Sequence, residues 1–403
     1  MTITAKHQIL IVGGGTAGIT VAARLLRKGY TDVAVIEPSD QHYYQPLWTL
    51  VGGGQAKAAT TARPESSVMP SGATWIRKAA SVFDPPNANT VTCADGATYE
   101  YDALVVCPGI QLDWNRTDGL AEAVGHNGVS SNYRFDLAPP RTWDFIRETR
   151  SGSAVFMMPS GPIKCGGAPQ KIAYLASDYW RKQGVLDKID VHLVLPTPRA
   201  FGIPAIADNL DKVIAGYGIQ LHTMSEVTAV DGGDSKKVTL TAVGEGGTDG
   251  TLAYDVLHAV PRQSAPDWIK TSPLSTGDDN GYVELDKFTL QHVRYPNVFG
   301  LGDAGSTPNS KTGAAIRKQA PVVVENIDAF LTGRPLQARY DGYSSCPIVT
   351  SSHDMLLAEF DYDMKLEPSF PILDPTKPHR PYWYMKKYGL PWLYWNLMLK
   401  GLV

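Results

Sequence analysis

One cysteine, Cys165, lies in a turn whose position favours a thiolate. The turn at 161–167 has the sequence Gly-Pro-Ile-Lys-Cys-Gly-Gly, and it follows an apolar run at 154–158 that is typical of a buried strand. From Gln170 to Trp180 the apolar residues recur with helical spacing. The free N–H groups and the dipole at a helix N-terminus stabilise a thiolate. We therefore expect a reactive thiol at a strand-to-helix turn.

A glycine turn near the N-terminus predicts a dinucleotide site. It follows an apolar strand at 8–12 and precedes an amphipathic helix that runs from Ile19 to about Lys28. The next strand ends at Glu37, nineteen residues beyond the last glycine of the turn. This arrangement permits a tight turn and the close approach of a pyrophosphate, and it supplies an acid for the ribose hydroxyls. The alternative is a glycine loop that binds no ligand. The turn consists of Gly13, Gly14, Gly15, Thr16, Ala17 and Gly18.

The position of this fingerprint and two later stretches indicate FAD rather than NAD. The run 101–109, which ends at Gly109, resembles the strand and turn that close the FAD domain in the glutathione-reductase-like superfamily. The run 298–303 resembles the second FAD motif of that superfamily, in which an aspartate, here Asp303, holds the ribitol. A helix predicted at about 312–330 would direct its N-terminus at the flavin pyrimidine, and Lys311 would add positive charge there. A solvated surface position is the alternative for Lys311.

The region between these FAD motifs predicts a second α/β unit without a nucleotide. Its strand at 191–195 is followed by Pro196, where a nicotinamide domain would carry an acid. The first βα turn carries Cys165 instead of a glycine fingerprint. We predict an α/β fold with two Rossmann-like dinucleotide-binding domains and a C-terminal amphipathic helical tail. The expected boundaries are 1–117 with 296–345 for FAD, 118–295 for the second domain, and 346–403 for the C-terminal part.

A second thiol, Cys346, follows the predicted flavin-closing helix in the sequence Tyr-Ser-Ser-Cys-Pro. Alone, a cysteine on an apolar strand is usually a small buried hydrophobic residue. In the superfamily, however, this segment folds back near the isoalloxazine, and the loop of Cys165 faces the same ring. We read Cys93 and Cys107 as structural, because buried cysteines are mostly inert.

The chain resembles sulfide:quinone oxidoreductases, most of all the type II group that includes the mitochondrial enzyme. The resemblance runs nearly end to end and rests on the glycine turn, 37–39, 42–52, 164–171, Gly302 with Asp303, 310–312 and 340–347. It implies that Cys165 and Cys346 form a redox pair. It also implies FAD contacts, which involve Glu37, Gln45, Ala80, Gly302, Asp303 and Gly313. The implied reaction takes hydrosulfide as donor, a membrane quinone as electron acceptor, and sulfite, glutathione or sulfide as sulfur acceptor.

The C-terminal stretch 379–403 predicts contact with a membrane surface. It is rich in aromatic residues and leucines, carries Arg380, Lys386, Lys387 and Lys400 without an opposing acid, and is too short to span a bilayer. Gly389 and Pro391 are expected to split it into two short helices. The alternatives are docking on the chain's own apolar surface or a contact within a homo-oligomer. Tyr43 and Phe360 are candidates for a quinone pocket.

Composition narrows the remaining classes of function. The net charge of −3 and the lack of a basic stripe argue against nucleic acid as a partner. Four cysteines in 403 residues do not make a disulfide scaffold. We expect no metal site and no signal peptide. Because the C-terminal stretch is expected to contact a membrane surface, we expect a peripheral membrane protein. Three rivals stay open at this point: a type II NADH:quinone oxidoreductase, a sulfide dehydrogenase subunit that reduces a haem protein, and a flavoprotein without catalytic function.

Overall fold

The α/β architecture predicted from the sequence is present in the computed structural model, which describes residues 2–136 and 139–403. The strands are β1 (Ile3–Val12), β2 (Val33–Ile36), β3 (Gln41–Tyr43), β4 (Ala62–Pro64), β5 (Thr74–Ile76), β6 (Ala80–Asp84), β7 (Thr90–Cys93), β8 (Thr98–Val106), β9 (Gln111–Asp113), β10 (Val129–Ser130), β11 (Gly152–Met157), β12 (Ile189–Val194), β13 (Gln220–His222), β14 (Ser225–Asp231), β15 (Lys237–Ala242), β16 (Gly250–Ala253), β17 (Val256–His258), β18 (Arg262–Ser264), β19 (Val298–Gly300), β20 (Ser344–Val349) and β21 (Met355–Phe360).

The helices alternate with the strands in the first two thirds of the chain, as a doubly wound fold requires. They are α1 (Thr16–Lys28), α2 (Trp48–Gly52), α3 (Leu120–Ala123), α4 (Pro139–Glu148), α5 (Ala168–Lys182), α6 (Pro204–Tyr217), α7 (Asp267–Lys270), α8 (Gly313–Leu331), α9 (Arg380–Tyr384) and α10 (Leu390–Asn396). The predicted helices that follow the glycine turn, the Cys165 turn and Lys311 correspond to α1, α5 and α8.

The first sheet has the order β5-β2-β1-β8-β7-β6, with β19 beside β8. Strands β5, β2, β1, β8 and β19 run parallel, so their carboxyl ends meet at one edge. The last four residues of β1, 9–12, are apolar and buried because both faces of the sheet are covered. This edge therefore carries the segments that follow β1, β2, β8 and β19, which are the predicted FAD motifs.

The second sheet is parallel, with the order β10-β17-β11-β12-β13. Helix α5 connects β11 to β12, and the antiparallel sheet β14-β15-β16 lies in the same part of the chain. Turns at 232–234 and 244–247 join the strands of that antiparallel sheet. Two Rossmann-like sheets are thus confirmed, and one carries Cys165 at the end of β11.

Two local features depend on single backbone contacts or turns. Residues 75–83 contain parts of two strands, because Lys78 N–H bonds the Ile76 carbonyl and turns the chain, so that β6 pairs antiparallel with β7. The two short C-terminal helices expected around Gly389 and Pro391 are present as α9 and α10. A π-helical turn, Met385–Gly389, joins α9 to α10, and its wider spacing accommodates Pro391, which lacks an N–H.

Residues 265–285 lie within the predicted second domain but pack on the first sheet. Their buried side chains Ala265, Leu274 and Val283 belong to the core around Leu10 and Val106. The sequence division at 118–295 stays a prediction. None of the helices in the described ranges combines the length and apolar character needed to cross a bilayer.

The glycine turn gives a test of local packing. A Cβ at Gly18 would lie 1.8 Å from the Gly13 carbonyl oxygen, whereas a Cβ at Gly216 in α6 meets nothing within 4 Å. We expect Gly18→Ala to lower the free energy of unfolding by about 3 kcal/mol, since backbone must move. Gly216→Ala should leave it unchanged or raise it by up to about 1 kcal/mol. Denaturant unfolding measures both, and equal effects would contradict the packing argument.

Candidate active site

The Cys165 turn is held against the first sheet's domain by backbone pairing. Cys165 N–H donates to the Lys311 carbonyl at 2.9 Å, and Lys164 and Lys311 form an isolated parallel bridge. Cys165 itself is in the left-handed region, with φ +52°. A non-glycine residue there costs about 1 kcal/mol and is common at functional sites. The turn therefore presents its thiol toward the segment that precedes α8.

The second thiol reaches the same place from β20. Cys346 pairs with Ala358 of β21 and is buried, and its thiol is close enough to that of Cys165 to shift the pKa of Cys165. Ser310 Oγ lies 3.7 Å from Cys346 Sγ. Both cysteines are free thiols in this structure. The two cysteines selected from the sequence, 181 residues apart (346 − 165), are therefore neighbours in space.

The surroundings divide the two thiols into one acidic and one weakly acidic group. The hydrogen bond with Cys346 holds the pKa of Cys165 well below its usual range against the effect of burial, and the Lys171 ammonium adds to this. Lys171 Nζ donates to Cys165 Sγ at 3.0 Å from the first turn of α5. The same hydrogen bond, together with burial, raises the pKa of Cys346. Cys165 is thus the thiolate of the pair.

A lysine from the C-terminal helices is also part of this region. Lys386 is 3% exposed, and its Nζ donates to the Pro46 carbonyl at 2.7 Å. Burial and the nearby Lys171 lower the pKa of Lys386 to about 7, whereas the two cysteines oppose the shift. Lys386 is one of the four basic residues that the sequence analysis named in the C-terminal stretch. Its side chain is covered by the fold.

The predicted dinucleotide turn and its acid are adjacent at the parallel edge of the first sheet. Gly14 N–H donates to Glu37 Oε2, and Ser39 N–H to Glu37 Oε1, both at 2.7 Å. Burial raises the pKa of Glu37. A Cβ at Gly15 would meet nothing within 4 Å, so space is open at the N-terminus of α1. Gly13, with φ +108°, packs too closely on the Cys107 carbonyl to allow a side chain.

Most of the other predicted cofactor residues lie at the same edge or next to the thiols. Gly109 follows β8, and Gly302 and Asp303 follow β19. Asp303 is close enough to Lys311 and Lys164 that both ammoniums oppose the pKa increase that burial causes in its carboxyl. Gly313 is the first residue of α8.

Lys311 is not a surface residue. Its Nζ donates to the carbonyls of Asp303 and Gly305 at 2.8 Å and lies over the ring of Tyr282. Burial lowers the pKa of Lys311 to about 8.

Gln45 and Ala80 approach the site differently. Gln45 Oε1 accepts from Lys164 Nζ at 2.7 Å, which links it to the cysteine turn. Ala80 begins β6, four residues beyond Ile76, whose carbonyl accepts the N–H of Glu37. Ala80 is therefore only four residues from the residue that contacts Glu37, although its strand β6 is at the far edge of the sheet.

These residues fit an FAD molecule. The open space at Gly15 and Gly313 lies at the N-termini of α1 and α8, where N–H groups bind phosphate and other acceptors. Buried Glu65 has one carboxylate oxygen, Oε1, without a hydrogen-bond partner, and this atom faces the glycine turn 3.0 Å from where a Cβ of Gly14 would stand. A ribose or ribitol hydroxyl is the kind of donor that such acids accept from.

Comparison with known proteins bears on the family. The family model for pyridine nucleotide-disulphide oxidoreductases matches residues 7–320. A Dictyostelium discoideum protein named mitochondrial sulfide:quinone oxidoreductase is 41% identical over 98% of this chain and 86% of the relative. The chain belongs to the sulfide:quinone oxidoreductase family. The Mus musculus protein of the same name is 37% identical over 99% of this chain and 88% of that protein.

A solved structure supports the fold. The sulfide:quinone oxidoreductase of Aquifex aeolicus superposes with a TM-score of 0.79 at 19% identity, covering 98% of this chain and 92% of that one. As in other flavoproteins of the pyridine nucleotide-disulphide oxidoreductase family, two Rossmann-like domains make up most of this family member.

The two residues predicted for a quinone pocket are not in one cluster. Tyr43 packs on Trp48 and Phe135, with ring centroids 5.8 Å and 4.7 Å away. Phe360 packs on Phe201 in the core of the second sheet. Their shared role in quinone binding stays a prediction.

Sequence reasoning missed several residues of the thiol site. Lys171 stands six residues after Cys165, one turn into α5, and this spacing was available as a signal. No signal in the sequence marked Tyr133, whose hydroxyl donates to the carbonyls of Lys164 and Cys165.

The other two cysteines are packed in the protein interior. Cys93 is buried in β7, which raises its pKa to about 11, and Cys107 Sγ faces the Gly13 carbonyl.

The asymmetry of the thiols gives a prediction for Lys171→Met. Removing the ammonium beside Cys165 disfavours the thiolate, so the pKa of Cys165 should rise by about one unit or more. The alkylation rate of Cys165 by iodoacetamide as a function of pH, followed by peptide mass spectrometry of the reduced protein, measures this shift.

Lys182→Met is the matched control, because Lys182 lies on the same helix but pairs with Asp178. Its alkylation profile should be that of the unmodified chain. A profile for Lys171→Met that coincides with it would remove Lys171 from the account.

Proposed function

We propose that the chain is an FAD-dependent sulfide:quinone oxidoreductase that oxidises hydrosulfide through Cys165 and Cys346. The observation that carries this is the proximity of the two thiols, one in the turn after β11 and the other on β20. Two adjacent thiols can form a bridge that holds two oxidising equivalents. Membership in the family supplies the donor and acceptor classes.

The first step is attack of hydrosulfide on an oxidised Cys165–Cys346 bridge. The entering sulfur bonds to Cys346 Sγ, the bond between the two cysteines breaks, and Cys165 leaves as a thiolate. The direction follows from the leaving group, because the thiol of lower pKa leaves faster in such exchanges. Lys171 Nζ stands 3.0 Å from the departing sulfur and holds its charge. The hydrosulfide proton stays on the terminal sulfur of the Cys346 persulfide.

The second step releases the sulfur and restores the bridge. A nucleophilic acceptor, such as sulfite, glutathione or a second sulfide, bonds to the terminal sulfur, and Cys346 is left as a thiolate. The Cys165 and Cys346 thiolates then join again and give up two electrons. FAD supplies the two-electron redox chemistry that carries these electrons from the thiols to a quinone. The overall reaction therefore oxidises one hydrosulfide for each quinone reduced, and an acceptor takes up the released sulfur.

We assign the cofactor to the strand-end edge of the first sheet. There Glu37 and the glycine turn would bind the adenosine and pyrophosphate end, as such fingerprints do. Asp303, Lys311 and the N-terminus of α8 would hold the ribitol and pyrimidine end, because buried cations and helix N-termini favour negative charge. Gln45 and Lys164 connect this part to the cysteine turn.

The quinone would enter from a membrane that the C-terminal helices contact. Tyr384, Tyr388 and Trp392 are exposed by 54%, 58% and 60%, and their spacing of four residues places them on one face. Lys387 lies over the rings of Trp383 and Tyr388 at the same surface. Aromatic rings with nearby basic groups are typical of the bilayer interface. The exposed aromatic face is thus the membrane surface of this proposal.

The catalytic assignment predicts the effect of removing either thiol. Cys165→Ser and Cys346→Ser should each lower sulfide-driven reduction of a short-chain quinone below about one thousandth of the starting rate, since neither variant can form the bridge. Bound FAD, measured by its absorbance, should stay stoichiometric. Cys93→Ser is the control and should keep full turnover.

Anaerobic mixing with NADH tests the rival donor in the same protein. Sulfide should bleach the flavin of the unmodified chain and NADH should not. Prompt bleaching by NADH, or sulfide-driven bleaching retained in both cysteine variants, would overturn the proposal.

The exposed aromatic face predicts vesicle binding. Replacing Tyr384, Tyr388 and Trp392 together by Ser should weaken partition onto phospholipid vesicles by about tenfold or more, because aromatic rings supply the interfacial anchoring. Sedimentation with vesicles measures it. Val82→Ser with Val293→Ser, which removes exposed apolar groups elsewhere, should not change the partition. Equal partition of both variants would rule out this face.

A further inference from the structure

The C-terminal segment covers the helix that begins at the glycine turn. Residues 398–400 pack along α1, and a Cβ at Gly401 would lie 2.8 Å from the backbone nitrogen of Arg24. Tyr394 and Trp395 of α10 are buried in the same core as Ile19 and Leu25. The last residues of the chain are therefore part of the domain that contains the first motif.

Tyr394 places its hydroxyl at the first residue of α1. It lies 2.8 Å from Thr16 Oγ1 and 2.5 Å from His42 Nε2. His42 Nδ1 in turn lies 3.2 Å from Glu65 Oε2. With a neutral imidazole, His42 donates to the carboxylate and accepts from Tyr394, and Tyr394 accepts from Thr16, so each hydroxyl has one direction. We call these four hydrogen-bonded residues the Tyr394 network.

Three members of the Tyr394 network are almost completely shielded from water, whereas Thr16 is half-buried. His42 is 2% exposed, Tyr394 3% and Glu65 1%. The Tyr394 ring packs on Tyr44 with centroids 4.4 Å apart, which fixes the direction of its hydroxyl. Thr16 follows Gly15, where a Cβ would meet nothing within 4 Å, and the unpartnered buried oxygen Glu65 Oε1 lies 3.0 Å from where a Cβ of Gly14 would stand. Such an orphaned buried acceptor is costly unless a ligand satisfies it.

We infer that Tyr394 is a positioning residue for FAD, through which the C-terminal segment holds the glycine turn in its binding conformation. The inference rests on the proposed function for the identity of the cofactor. Tyr394 touches Thr16 and His42 and acts through them. A tyrosine that served only to fill the core would not need a hydrogen bond from its hydroxyl to Thr16, the first residue of α1.

Linkage makes this inference reciprocal. If the docked C-terminal segment favours FAD binding, bound FAD must favour docking of the segment by the same factor. The same helices carry the exposed aromatic face defined above, so FAD retention and the surface offered to the membrane are properties of one docked segment.

The direct test removes one oxygen atom. Tyr394→Phe keeps the ring and loses both hydrogen bonds, and we expect FAD to dissociate about tenfold faster, as one or two buried hydrogen bonds would predict. The matched control is Tyr254→Phe. Tyr254 is also buried and donates its hydroxyl to the Asp231 carbonyl, but in the second domain. Stopped-flow recovery of flavin fluorescence on dilution measures the rate in both.

A double-mutant cycle separates positioning from direct contact. Thr16→Val alone should also speed FAD release. If the two residues act through their shared hydrogen bond, Tyr394→Phe should add less than threefold when Thr16 is already Val. If the fold-changes in FAD release of the two single variants simply multiply in the double variant, the inference is overturned, because Tyr394 would then act on FAD independently of the turn.

Hydrogen exchange supplies a readout that needs no turnover. In the full chain, amides of 390–399 should exchange at least threefold more slowly with FAD than after FAD removal, and Tyr394→Phe should abolish the difference. Equal FAD release from Tyr394→Phe and Tyr254→Phe, or exchange at 390–399 that does not respond to FAD, would overturn the inference. A purified chain that takes up no FAD at all would instead contradict the proposed function.

Discussion

The backbone hydrogen bond from Cys165 to the Lys311 carbonyl is the constraint on which the thiol site depends. It fixes a turn of the second sheet's domain to the loop before α8, the helix that closes the first domain. Cys346, two elements later in the chain, returns to this point from β20. Cys346 packs in the core of the second sheet, so this core and the backbone bond together bring both thiols to the segment that precedes α8. A left-handed Cys165 is the local cost of the geometry.

The electrostatics of the site follow from that contact. Two chemically identical side chains become unequal because Lys171 is bonded to one of them and burial is stronger for the other. An unequal pair gives thiol exchange a direction, since the entering sulfur attacks one atom and the other departs with the charge. Lys386 brings a second buried ammonium from the far end of the chain. The C-terminal helices thus add a buried basic group close to the two cysteines.

The same helices have two faces with different surroundings. The inner face, which includes Trp383, Tyr394 and Trp395, belongs to the core of the first domain. The outer face leaves three aromatic rings in solvent at a spacing of four residues. Membrane contact and self-docking were opposed readings of the tail from its sequence, but one amphipathic segment can do both. The buried stripe holds the segment on the first domain, and the exposed aromatic stripe stays available to a partner.

The sequence by itself determined the elements whose signals are local: the glycine turn with its acid, the strand-to-helix turn of Cys165, the helix after Lys311, and the missing acid after β12. Each depends on residues within about forty positions, where spacing alone restricts the geometry. Only the tertiary structure decided that Lys386 is buried, that 75–83 turns at Ile76, and that Tyr394 meets Thr16. Those outcomes depend on contacts between residues hundreds of positions apart or on a single competing backbone bond, and composition contains no record of either.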